Sequence, residues 1–334
     1  MKKEMKAHER FRAVANGLPV DRLPMIEWAC WWDKTIDSWD KGHPELKLKQ
    51  MGTCGLHRHL GLDINLQHVI RPVTSATPPP KHDGGPVITS IGEYQKIKHT
   101  LYPRPVLDAD FVAYAKQLHE TGTGIVWFSF DGFFWFPRVL FGIENHLYSF
   151  YDEPELYHII CEDLLKWQKD VVEVFANAFP FDFMTFFEDM SYNNGSMLSK
   201  EHFHSFITPY YKEIIPLIRS AGILTIVDSD GDITEAVDWF SEAGVEGMLP
   251  LERQAGVEIN LYQQKHPDML FIGHFDKMVM HKGESAIRQE FERLLPAMKK
   301  GRFIPSVDHQ TPPAVAYEDY LIYMKLFREY AAIE

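Results

Sequence analysis

A run of β-prone residues, Ile223-Leu-Thr-Ile-Val227, stops abruptly at Asp228-Ser229-Asp230-Gly231. Aspartate is a poor strand residue and a good turn or helix-start residue, so the run reads as a strand that delivers two carboxylates to its C-terminal end. The same figure recurs where Phe183–Phe187 meets Glu188-Asp189, where Gly247–Leu251 meets Glu252, where Met269–Gly273 meets His274 and Asp276, and where Phe303–Val307 meets Asp308-His309. Helical patterns over 153–179, 201–220, 234–243, 259–266, 284–300 and 318–330 alternate with these runs. Upstream, strands are expected at Met25–Trp28, Ile64–Ile70 and Gly124–Phe130, and helices at 4–16 and 108–119, with 29–61 irregular. Strand and helix in such alternation predict one parallel α/β domain over residues 1–334, a (β/α)8 TIM barrel. The first helix is an N-terminal extension, and the Pro- and Gly-rich stretch 74–86 opens a hairpin or loop excursion near 72–100. The alternative is an open doubly wound sheet, which lacks its usual Gly-rich phosphate loop here.

Residues two apart at a strand end share a face, so Asp228 and Asp230 converge in this reading. In a barrel the loops after the strands build the active site, which brings Glu252, His274 and His309 to the same end. A mixed set of carboxylates and imidazoles suits zinc. The plainer account makes Asp228–Asp232 turn and cap chemistry, pairs Glu252 with Arg253 and Asp308 with Arg302, and leaves His274 a hydrogen-bonded rim histidine. Trp28, Trp32, Phe134, Trp135 and Tyr192 flank strand ends. They either pack in the core or line a flat apolar pocket for a planar ligand.

Net charge is −13, from 34 Lys and Arg against 47 Asp and Glu. No basic stripe stands against it, so neither nucleic acid nor an anionic membrane is an expected partner. Three widely spaced cysteines, Cys30, Cys54 and Cys161, form no zinc or disulfide pattern. The first residues lack the apolar core of a signal peptide, and no run is long enough to span a bilayer. A cytoplasmic protein is expected.

Four segments carry a family resemblance. Glu9–Pro24, Asp131–Arg138 with Phe150–Leu156, Phe206–Ile215 and Asp308–Pro313 resemble the uroporphyrinogen decarboxylase superfamily. The resemblance spans nearly the whole chain and implies the barrel. Decarboxylases of that family place an Arg-rich segment after the first strand to grip the tetrapyrrole carboxylates; here the position reads Ile26-Glu-Trp-Ala-Cys-Trp-Trp32. They place an aspartate after the next strand, where this chain has Gln67-His68. In the corrinoid-linked methyltransferase branch a His-x-Cys and a later Cys bind zinc. Asp228-Ser-Asp230 falls on the first pair and His309 on the last, leaving an oxygen-and-nitrogen set better matched to an ether oxygen than to a thiol.

The resemblance is nearest to members proposed to demethylate aryl methyl ethers. It implies a methyltransferase that moves methyl from a small methoxylated aromatic donor to a corrinoid on a separate protein. In that reading Asp228, Asp230, Glu252, His274 and His309 supply the zinc ligands, with Asp230 and His309 also catalytic. Glu188 is the proton donor to the leaving phenolate. Trp28, Trp32, Phe134, Trp135 and Tyr192 hold the ring, and the chain forms a homodimer. Tetrapyrrole decarboxylation and a non-catalytic barrel that binds small aromatics are the alternatives.

Overall fold

The computed structural model describes residues 4–332. Nine strands occur among them: β1 (Ile64–Val69), β2 (Gly124–Asp131), β3 (Phe183–Phe187), β4 (Ser191–Tyr192), β5 (Gly195–Ser196), β6 (Leu224–Asp228), β7 (Gly247–Leu249), β8 (Leu270–Phe275) and β9 (Phe303–Val307). Seven of these form one sheet in the order β1-β2-β3-β6-β7-β8-β9. The pairs β2/β3, β3/β6, β7/β8 and β8/β9 are parallel. Parallel neighbours in chain order, with helices between them, make this the α/β class of the (β/α) barrels. β4 and β5 form a separate antiparallel hairpin around Asn193-Asn194.

The residues pack as two compact units. The first comprises, among the described residues, 4–66, Tyr114–Val126 and 247–332. Its β8 and β9 pack under helices Glu284–Lys300 and Tyr317–Ala331, and Phe275, Phe291, Tyr323 and Phe327 stack between them. The second comprises Gln67–Ala113 and Trp127–Glu246. Its β3 carries the Phe186 ring between Phe130 and Tyr211. β2 is buried along its whole length, as expected of a strand covered on both faces. Truncating Phe186, which has no exposed surface, to Ala would cost about 3–5 kcal/mol.

Two expectations are corrected. Met25–Trp28, buried up to Glu27 and half-buried at Trp28, forms no strand. One ladder-like bond remains, from Asp63 N–H to Met25 O at 2.8 Å. Beyond it the Asn65 side chain takes the Glu27 carbonyl at 3.0 Å, and the Asn65 backbone N–H turns to His57 Nδ1. Side-chain bonds thus replace the pairing of an eighth strand. The stretch 29–61 holds two helices, Asp33–Gly42 and Gly52–Leu60. Residues 72–100 make a loop closed by a single bridge, Val73 to Leu101, and enclose helix Ile91–Ile97. Among the described residues no helix is long and apolar enough to cross a membrane.

Candidate functional site

In the second unit, the ends of β2, β3 and β6 each place carboxylates. Glu188, one residue beyond β3, is fully buried. Its Oε1 accepts from Phe133 N–H at 3.0 Å and Tyr211 O–H at 2.5 Å; its Oε2 accepts from Phe134 N–H at 2.8 Å and Trp135 N–H at 3.0 Å. Burial raises the acid to about 7 and these donors oppose the rise. The approach is so close that a Cβ on Gly132 would lie 2.2 Å from the Glu188 carboxyl carbon, which is why the loop needs glycine there. Both oxygens are spent on holding the 132–135 loop. Glu188 is an anchor, not the expected proton donor.

Asp228 ends β6 and is half-buried as a residue; burial of its carboxyl together with Asp230 and Asp189 lifts its pKa well above the usual carboxylate value, and Arg71 opposes the lift. Asp189 is held in the left-handed region at φ +40°, and its Oδ1 accepts from Asp230 N–H at 3.2 Å. Asp131, buried at the end of β2, is ion-paired to Arg71, whose guanidinium also lies 4.5 Å over the Phe187 ring. Burial pushes Asp131 up to about 6 against that guanidinium. Asp228 is thus a strand-end carboxyl whose ionisation is opposed both by burial and by neighbouring carboxylates. Tyr192, on the nearby hairpin, is 54% exposed.

The first unit contains the other expected ligands. His274, wholly buried at φ +66°, has Nδ1 3.0 Å from Leu251 O, so that nitrogen must donate. Nε2 then accepts from Arg293 Nη1 at 3.0 Å. Burial, with Arg293 beside it, lowers the imidazole to about 3. Gly273 is forced by the same turn, since a Cβ there would fall 1.9 Å from Pro250 O. Neither imidazole nitrogen has a lone pair left for a metal, so His274 is corrected to a structural histidine. Glu252 lies 3.6 Å from Lys277 Nζ. Asp308 is buried and takes Arg253 N–H at 3.0 Å and Lys277 Nζ at 3.2 Å. His309 meets the Trp28 ring edge-on at 6.1 Å. Trp28 Nε1 donates to Val307 O at 2.8 Å, and Trp32 is 42% exposed.

Glu27, unnoticed as a polar centre in the sequence, is buried with Oε2 on Ser306 O–H (2.7 Å) and Val307 N–H (2.9 Å) and Oε1 on Tyr323 O–H (2.7 Å). Asp131 and Arg71 were likewise missed, although Asp131 follows the same pattern of an acid after an apolar run, and Asp189 was read as a strand-end acid without a role. Phe134 has no exposed surface and packs on His146 at 4.4 Å, so it belongs to the core and does not line a ring pocket. Trp135 remains half-buried. Among the described residues, no group of three or more His, Cys, Asp or Glu side chains is placed to hold a metal ion.

The family model for uroporphyrinogen decarboxylase matches residues 139–330, more than half of the chain. The chain belongs to the uroporphyrinogen decarboxylase family. Among solved structures it is similar to a methyltransferase from Methanosarcina mazei, at 12% identity with a TM-score of 0.68 over 98% of this chain and 99% of that one. A B12-independent methionine synthase from Shewanella sp. W3-18-1 aligns at 12% identity and TM-score 0.42 over 70% and 68%. A β-mannanase from the blue mussel Mytilus edulis aligns at 12% and 0.45 over 91% of each chain. No curated protein sequence matches the chain. The full-length likeness to the methyltransferase establishes a shared fold. Gln67, in β1, donates its side-chain amide to Ser129 Oγ at 2.9 Å.

Proposed function

We propose that this family member is a methyltransferase that takes a methyl group from a small methoxylated aromatic donor. The observation that carries the reading is the carboxylate cluster at the ends of β3 and β6, where Asp228 stands beside Asp189 and Asp230, which are joined by a 3.2 Å hydrogen bond, and where burial and these like charges favour its protonated form. Family membership and the shared methyltransferase fold support it. A polycarboxylate such as uroporphyrinogen would meet Asp189 and Asp230 at these strand ends, and only cationic partners recognise such a substrate well. A neutral ether does not suffer that repulsion.

An aryl methyl ether leaves as a phenol only if its oxygen gains a proton as the carbon–oxygen bond breaks. The bond's electron pair stays on oxygen, and the methyl carbon accepts an electron pair from the acceptor. Asp228 is the proton source in this scheme: a protonated carboxyl donates, and the resulting carboxylate is tempered by Arg71. Asp189 and Asp230 keep the proton on Asp228 until it is needed. A corrinoid on a separate protein would supply the methyl acceptor. No step of this scheme is routed through zinc: His274 has both nitrogens committed, and among the described residues no group of three or more His, Cys, Asp or Glu side chains is placed for a metal.

The test incubates the protein with 2-methoxyphenol and free cob(I)alamin and follows catechol by chromatography, with Asp228→Ala in parallel. Catechol released by the native protein and lost in the variant supports the proposal. No release, with decarboxylation of uroporphyrinogen by the same preparation, would overturn it. Affinity for the phenol without turnover would instead make the chain a binding protein.

A further inference from the structure

Within the second unit lies a cavity of about 450 Å³ that the acid cluster does not use. Its walls come from Val73, Pro78, Pro80 and Val87 of the 72–100 loop and from Trp135 and Ile143. Backbone bonds fix the loop on helix Trp135–Phe141: Val87 N–H to Leu140 O at 2.8 Å, and Ile143 N–H to Gly84 O at 2.9 Å. The cavity is therefore built into the fold, and its size is that of a small-molecule site. The hydroxyls of Thr74 and Thr77, which also border it, are both turned to Thr100 O at 2.8 and 3.0 Å. They leave an apolar surface behind.

Arg138 is the exception. It is half-buried in this lining, with its guanidinium carbon 5.1 Å from the Trp135 ring centre. Its one hydrogen bond among the described residues is a long one, Nη1 to Asp189 O at 3.4 Å, and no carboxylate among them pairs with it. Asp83, the other charged residue of the lining, is exposed and does not pair with it either. A guanidinium held against an indole in an apolar cavity, with most of its five N–H donors unspent, matches a planar two-oxygen anion. The apolar walls demand that the rest of the ligand be greasy, and an indole and two prolines favour a flat one.

We propose that this cavity binds a small aromatic monocarboxylate of one or two rings, its carboxylate on Arg138 and its ring system among Trp135, Pro78 and Pro80. The assignment is independent of methyl transfer, because binding is measured without any methyl acceptor.

Titration calorimetry with 2-naphthoate, benzoate, the neutral 2-naphthamide and 2-naphthalenesulfonate tests it. The carboxylates bind the native protein at least about tenfold more tightly than the amide, a gap of about 1.4 kcal/mol. Arg138→Gln abolishes that gap while its thermal melt stays native-like, Arg138→Lys restores part of it, and Trp135→Leu weakens acid and amide alike. Sulfonate binding as tight as naphthoate would widen the class to aromatic anions and overturn the choice of carboxylate. Equal affinity for naphthoate and naphthamide, no binding of either at millimolar concentration, or an unchanged gap in Arg138→Gln would overturn the site.

Discussion

Tyr211 gives its hydroxyl hydrogen to Glu188 Oε1 across 2.5 Å, completing four donors on one buried carboxylate. Such a constellation stabilises the ionised form, and removing one donor shifts the balance back to burial. Tyr211→Phe is expected to raise Glu188 further above about 7 and to cost about 1.5–3 kcal/mol, the range for a hydrogen bond to a charged group. Glu188→Gln faces a donor amide towards backbone N–H groups, so it should destabilise more than Tyr211→Phe. Denaturant melts and carboxyl titration by NMR check both. A Glu188→Gln protein that melts like the native one but has lost turnover would restore Glu188 as the proton donor.

Asp228 makes the opposite case, a carboxyl defined by neighbours that repel. Its proton is present below its raised pKa and lost as pH climbs through it, so phenol release should fall on the alkaline side. Asp189→Asn or Asp230→Asn removes a like charge and moves that limb to lower pH. Arg71→Gln removes the opposing cation and moves it to higher pH. Asp228→Ala should reduce kcat by about 10²–10⁴-fold, the usual contribution of a positioned acid. A pH profile unmoved by Asp189→Asn and Asp230→Asn would remove Asp228 from the role.

The strands were readable because each apolar run meets an abrupt polar stop, and that signal is local. The helix Asp33–Gly42 was not, since it buries only Thr35 and Trp39, one turn apart, and so short an amphipathic face is lost in the Trp-rich segment around it. Met25–Trp28 looks like a strand by composition, but its pairing was taken by Asn65, a decision made some 40 residues away. Within the site, the acids at the ends of β3 and β6 were legible as acids. Their roles were not: Glu188 and Asp228 differ in whether their neighbours are donors or carboxylates, and those neighbours arrive from other elements. Arg71 and Asp131 lie far apart in the chain, so their ion pair had no signature. His274 read as a ligand because the partners that consume its nitrogens, Leu251 and Arg293, were invisible as such.

His146 is buried against Phe134, Phe150 and Tyr157, and neither ring nitrogen has a hydrogen-bond partner among the described residues. Burial, with Arg138 nearby, lowers it to about 3. Below pH 6.5 the unfolded chain binds a proton that the native state refuses. Its contribution is therefore lost as pH falls from 6.5 towards 3, at up to about 1.4 kcal/mol per pH unit. His146→Phe should melt within about 1 kcal/mol of the native protein at pH 7.5 and become progressively the more stable of the two as pH falls to 4. Melts of both proteins across that range decide it, and parallel curves would show that His146 does not titrate on unfolding.

Glu27 ties the segment before Trp28 to β9 and to the last helix through Ser306, Val307 and Tyr323, with Tyr320 more distant at 3.4 Å. Burial raises its pKa, and the hydrogen bonds hold the rise in check. The native state then keeps a proton that the unfolded chain has released, so this group's contribution shrinks as pH rises from about 4.3 through the raised value. Tyr323→Phe removes the 2.7 Å donor, which should cost about 1.5–3 kcal/mol at pH 7 and extend that window upward. Tyr320→Phe, acting on the 3.4 Å contact, should cost less than half as much. Urea melts of the two variants at pH 5 and pH 7 separate the outcomes. Equal losses at both positions, or a Tyr323→Phe penalty that does not grow between pH 5 and pH 7, would mean that Glu27 is already protonated in the native protein, with ring packing rather than hydrogen bonding holding the last helix in place.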